Sequence, residues 1–181
     1  MKTTLIKYLL IPSIIFSVGC KRDKGDPEDP LDHNEEELIT TVELHFTNSI
    51  GSHIMATWSD IDGPGGMDPL IDSLFLDTNS VYDVSIEFLN ESGEEAEDMT
   101  HEIEEEDDEH LICFDVSSDN LTIDRTDSDG TFEVGLMSKW TTSEATIGSV
   151  TISLKHQPDV KDGTCVPGET DVEVTFPMVI E

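Results

Sequence analysis

An all-β fold, an antiparallel sandwich of the immunoglobulin-like kind with about seven to nine strands, is what this sequence predicts. Three observations carry that expectation. Apolar side chains recur at every second position rather than every third or fourth, which is the period of a half-buried strand. Clusters of Gly, Asn, Asp and Pro separate the alternating runs. Between them lies no amphipathic helix of useful length, as a doubly wound α/β fold would require.

The chain opens with MKTTLIKYLLIPSIIFSVGC. Lys2 and Lys7 accompany an apolar run of about ten residues, too short for a bilayer span, which needs roughly 20. This is the layout of an export signal. Its end, Ser17-Val18-Gly19-Cys20, resembles a bacterial lipobox, in which the cysteine is acylated and becomes the first residue of the mature chain; Ser17 departs from the usual Leu. Residues 1–19 are therefore expected to leave as a lipoprotein signal peptide, with Cys20 as the lipidation site and enough chain remaining for one domain. Residues 20–37, which include KRDKGDPEDPLDHNEEE, read as an acidic flexible tether kept extended by charge and proline. The β-sandwich domain is expected over residues 38–181.

Within that domain Val42, Leu44 and Phe46 alternate with Glu43 and His45, and Ile54, Ala56 and Trp58 follow the same rule. Tyr82, Val84, Ile86 and Phe88 form the clearest half-buried strand, and the pattern returns at Phe132, Val134 and Leu136 and at Val150, Ile152 and Leu154. It ends with Val172, Val174, Phe176, Met178 and Ile180, where Pro177 removes one ladder donor and places the strand at an edge or ends its pairing there. Turn signals stand at Asn48, Asp62, Asn90, Ser118, Ser128 and Lys161. The one helical candidate is residues 99–109, with Thr100 as cap, Glu102 in the first turn and Ile103 as its apolar anchor. The six consecutive carboxylates at 104–109 repel one another, which predicts a short helical or irregular acidic connection.

Charge narrows the function. The chain has 9 basic and 41 acidic residues; Lys2 and Lys7 leave with the signal, so the mature formal charge is 7 − 41 = −34. Such a surface repels phosphate backbones and anionic headgroups, which argues against nucleic acid and for cations or cationic partners. No nucleophile elbow, P-loop or dinucleotide fingerprint occurs. Carboxylates are so abundant that no one pair stands out as an acid–base couple, and two Trp and two Tyr offer little surface for stacking sugars. The expectation is a protein that is not an enzyme.

Ligand chemistry has several candidate positions. Residues 94–110, EEAEDMTHEIEEEDDEH, concentrate carboxylates, Glu106 and Asp108 among them, between His101 and His110. Carboxylate oxygens suit Ca²⁺ and imidazoles suit Zn²⁺, although the spacing matches no defined motif and a hydrated connection explains the composition equally well. Asp60, Asp62 and Asp68 in one loop, and Asp127 and Asp129 in another, alternate acidic oxygens with glycine in a calcium-like manner. Neither loop has the glutamate of an EF-hand, and Asp-Gly also serves ordinary hairpins. His45 and His53 would face each other about 5 Å apart across a hairpin of suitable register and, with Glu43, hold a transition metal. His156 falls in the apolar phase after Leu154, as a partly buried histidine at a strand end. Cys113 lies on the phase opposite Ile112, Phe114 and Val116, hence exposed, and Cys165 sits in a turn. In an oxidising compartment the two suggest a disulfide, provided their Cα atoms come within about 7 Å.

At SVYDVSIEFLNES, EIEEEDDEH, GSVTISLKHQPD and TDVEVTFPMVIE the chain resembles a family of small acidic lipoproteins of Bacteroidota, often labelled as type 1 periplasmic-binding-fold proteins. That label implies a two-lobed α/β architecture, whereas these residues read as one β domain. The resemblance implies a lipid-anchored protein of the outer membrane, at its periplasmic or surface face, without established catalysis. His110 and His156 fall inside its segments and are the first choice for metal ligands. The reading is thus a non-catalytic envelope protein that binds cations or a protein partner, an outer-membrane transporter being one setting. A periplasmic small-ligand-binding lipoprotein and a purely structural interaction module are the alternatives.

Overall fold

The computed structural model describes residues 38–181; the signal peptide, Cys20 and the tether expected from the sequence lie outside them. The domain is all-β, as the alternation predicts. Seven strands, β1 (Thr41–Asn48), β2 (His53–Ser59), β3 (Leu70–Ile71), β5 (Val81–Asn90), β6 (Glu97–Asp98), β8 (Leu121–Arg125) and β9 (Met137–Thr142), form one sheet. Its order is β3-β2-β1-β5-β9-β8, with β6 on the end of β5. The second sheet has the order β4-β11-β10-β7, from β4 (Leu74–Leu76), β7 (His110–Val116), β10 (Thr146–His156) and β11 (Glu169–Ile180). Neighbours are antiparallel throughout, except that β4 runs parallel to β11.

Both sheets turn their apolar phase into one core. Val42, Leu44 and Phe46 on β1 are fully buried, as are Val150, Leu154 and Phe176 from the other sheet. Trp140 joins the two layers: its ring meets Phe46 edge to face at 5.1 Å and Phe114 of β7 at 6.0 Å. Its indole N–H donates to Ser138 Oγ at 2.9 Å, so the large side chain is buried with its polar atom satisfied.

Four local expectations are corrected. β11 is not an edge strand: it lies between β4 and β10, and pairing with β4 begins only at Met178, beyond the position where Pro177 lacks its N–H. Phe132, Val134 and Leu136 do not form a strand, although the latter two are buried. There the Asp127 carboxylate accepts the N–H groups of Gly135 (2.8 Å) and Met137 (3.1 Å), and Gly135 adopts φ +107°, a left-handed conformation that interrupts extension. Thr100 is not the cap of α1 (Thr100–Glu105); its hydroxyl accepts the Phe88 N–H at 2.9 Å while Asp98 Oδ1 accepts the Thr100 N–H at 3.0 Å. Finally, Cys113 does point away from the core but is buried, because residues 157–168 fold over it.

The helix is short, as the carboxylate run requires, and Ile103 anchors it with no exposure. A turn at 106–109 then delivers the chain into β7. That turn and the start of β7 place the site.

Candidate metal centre

β7 and β10 pair antiparallel, and their register sets His110 directly opposite His156. The rings stack face to face, with centroids 4.7 Å apart and planes 8° from parallel. Both residues are buried, at 0% and 3% exposure. A buried side-chain nitrogen or oxygen that could form a hydrogen bond and has none is costly. His156 Nε2 is such an atom, and so is Glu109 Oε2. They lie 3.6 Å apart. That is too long for a hydrogen bond, yet close to the roughly 3.3 Å that separates two donors bound at 2.0–2.1 Å to a tetrahedral ion.

The turn supplies the rest. One oxygen of Glu106 and one ring nitrogen of each histidine lie within 4.8 Å of one another. His110 Nδ1 is 3.0 Å from the Glu106 carbonyl oxygen. Because a carbonyl only accepts, Nδ1 is the donor in this contact, which orients the ring as an outer hydrogen bond orients a metal-binding histidine. Two imidazoles and a carboxylate, with a second carboxylate alongside, form a nitrogen–oxygen donor set of the zinc type rather than the all-oxygen set of calcium. The nitrogen lone pairs lie in the ring planes, and two stacked, nearly parallel planes share no point, so one imidazole must turn about its Cβ–Cγ bond for both to meet a single ion.

Residues 157–168 hold this arrangement closed. The Gln157 N–H donates to Glu109 O at 2.6 Å, and its buried side-chain amide donates to Thr164 O and Pro167 O, both at 2.9 Å. Lys161 Nζ donates to Asp107 O at 2.6 Å and pairs with Asp129 Oδ2 at 2.7 Å, with both side chains almost fully buried. Burial alone would raise the Asp129 carboxyl. The hydrogen bond from Lys161 and the N–H groups of Phe132 and Thr131 outweigh it and hold the carboxyl at about 2. Cys165, in the same segment, is bonded to Cys113 with Cα atoms 6.1 Å apart. Gly168 adopts φ +80° against the His156 carbonyl, where a Cβ would collide with that backbone.

The other residues named from sequence lie elsewhere. His101 is exposed on α1 and pairs with Glu105 at 3.4 Å, one turn on, away from the buried pair. Asp108 is exposed. In the first calcium-like loop Asp62 Oδ2 accepts the Met67 N–H at 3.1 Å and the carboxylate packs against Gly66; Asp68 is exposed and Asp60 half-buried. In the second, Asp127 and Asp129 spend their oxygens on backbone N–H groups and on Lys161. Neither loop gathers a metal-holding group among the described residues. His53 does not meet His45: the register pairs Thr47 with His53 and His45 with Met55, and His53 Nδ1 bonds the Thr47 hydroxyl at 3.0 Å. His45 lies instead 3.3 Å from Glu43 and 3.7 Å from Glu87 on the sheet's outer face. One ligand atom from each of Glu43, His45 and Glu87 lies within 4.8 Å of the others, and His45 Nε2 is buried without a hydrogen-bond partner, so this is a second group able to hold an ion. It differs in having one imidazole and in side chains that are 23–50% exposed, which lets water solvate the carboxylates.

Glu109 was not singled out by sequence, being one of six equivalent carboxylates. No family model, curated protein or solved structure matches this chain.

Proposed function

We propose that the protein is a non-catalytic binding module of the cell envelope, held by a lipid on Cys20, that takes up one divalent transition-metal ion at Glu106, His110 and His156. Glu109, whose Oε2 lies 3.6 Å from His156 Nε2, stands beside these three and would complete the set by turning its carboxylate toward the ion. The observation that carries this reading is the cross-strand histidine pair: both rings are buried, and His156 Nε2 has no hydrogen-bond partner although 3.6 Å from a carboxylate oxygen that also lacks one. An apolar core has no use for such atoms, whereas an ion satisfies both. The acidic run at 104–109 leads up to the site and concentrates cations near it. The envelope location rests on the lipobox-like residues at 17–20 and the lipoprotein resemblance.

Equilibrium dialysis against Zn²⁺ and Ca²⁺, followed by elemental analysis, tests the metal. One Zn²⁺ per chain is expected to survive desalting, with Ca²⁺ lost. Retention of neither refutes the metal site. Mass spectrometry of the exported N-terminus tests the anchor: an acylated Cys20 is expected, and retention of residues 1–19 refutes it.

A further inference from the structure

Independently of the metal site, we propose that the β3 edge of the larger sheet docks an extended protein segment that carries apolar side chains flanked by Lys or Arg. Isolated apolar residues on a surface need no explanation, but contiguous ones mark interaction sites. Here Ile61 (55%), Met67 (77%), Leu70 (77%) and Ile71 (45%) are exposed close together in sequence, on β3 and the loop before it. Ile61, Met67 and Leu70 line a depression of about 300 Å³ whose wall also includes Asp60, Asp62 and Asp68.

The backbone adds a second requirement. β3 ends the sheet, and its outer side pairs with no strand among the described residues. Such an edge is a template for strand addition, and proteins commonly blunt one with Lys or Pro. Pro69 stands before β3 and the strand itself is only Leu70 and Ile71, so the edge offers few backbone bonds and the apolar and acidic side chains around it must supply most of the docking. Specificity for the occupant comes from charge. The apolar positions are interleaved with Asp60, Asp62, Asp68 and Asp72, and no Lys or Arg occurs anywhere between Lys24 and Arg125. An anionic lipid surface is repelled by this rim, and so is a second copy of so acidic a chain. A cationic segment meets opposite charge at the rim and apolar contact on the floor.

The test is amide chemical-shift mapping on the ¹⁵N-labelled exported protein, titrated with a seven-residue peptide alternating Lys and Val and with matched Glu–Val and Ser–Val peptides. The Lys peptide is expected to shift amides of residues 60–72, and added NaCl to weaken it. Asp62→Asn with Asp68→Asn should weaken binding about tenfold, equivalent to 1.4 kcal/mol. Met67→Ser with Leu70→Ser, both at exposed positions, should abolish it while leaving zinc stoichiometry unchanged. Shifts elsewhere, no shifts, or equal binding of the Ser or Glu peptide overturn the proposal. So does a response of the same amides to protein concentration, to lipid vesicles, or to charge reversal of Lys21, Arg22 and Lys24 without peptide, because each names a different occupant.

Discussion

Lys161 shows how one side chain fixes another residue's chemistry. Its ammonium neutralises the buried Asp129 carboxylate and ties Asp107 O, hence the acidic turn, to residues 157–168. Lys161→Met strands a buried charge and is expected to cost about 3 kcal/mol in chemical denaturation. The sign of its pH dependence follows from Asp129, whose folded value of about 2 lies below the ordinary 3.8. A carboxyl depressed on folding contributes fully above the unfolded value, and that contribution is lost as pH falls from about 4 towards 2. Lys161→Met should therefore flatten the acid limb of the stability curve in that window; an unchanged limb would mean the pair is not coupled to folding. Gly168→Ala should lower stability and zinc affinity together, because the new methyl strikes the His156 backbone. Alanine at His110 or His156 should each reduce zinc affinity by at least about 100-fold, more than a change behind the ligands would cost.

Strands and loops explain which of these contacts a reader of the sequence can anticipate. β1, β5, β10 and β11 announce themselves because one face of each is apolar over many residues. β3 and β6 have two residues each and carry no period at all. β9, MSKWTT, buries Ser138 and Thr142 beside Trp140, so its inward face does not read as apolar. Around the site, Glu106, like Glu109, is one of six consecutive carboxylates, whereas His110 and His156 stand out by residue type. Their meeting depends on the register of β7 against β10, which no local pattern encodes. Acidic residues at alternate positions likewise look the same whether they bind an ion or, as at Asp127 and Asp129, backbone N–H groups. The Cys113–Cys165 bridge closes a loop with a sequence separation of 52. On the chain-entropy model its removal in a double Ser variant costs about 4 kcal/mol. Because the same segment closes over the histidines, the variant should also release zinc faster, measured as chelator-driven off-rate.

At the scale of the domain, two sheets sharing one core present a strongly acidic outer surface: residues 38–181 hold 4 Lys and Arg against 33 Asp and Glu, a formal charge of 4 − 33 = −29. Mutual repulsion opposes compaction, and cations relieve it, so stability should rise with added NaCl. Specific binding goes further: an ion at 100 times its dissociation constant stabilises the folded state by about 2.7 kcal/mol. Non-specific screening by acidic side chains cannot distinguish the two buried histidines from any other residue. The most direct measurement is therefore zinc stoichiometry and affinity by calorimetry on the wild-type protein and on His110→Ala and His156→Ala. The buried pair predicts one site per chain, lost in both variants while their folded spectra persist. Zinc bound equally by all three proteins, or by none, would contradict it.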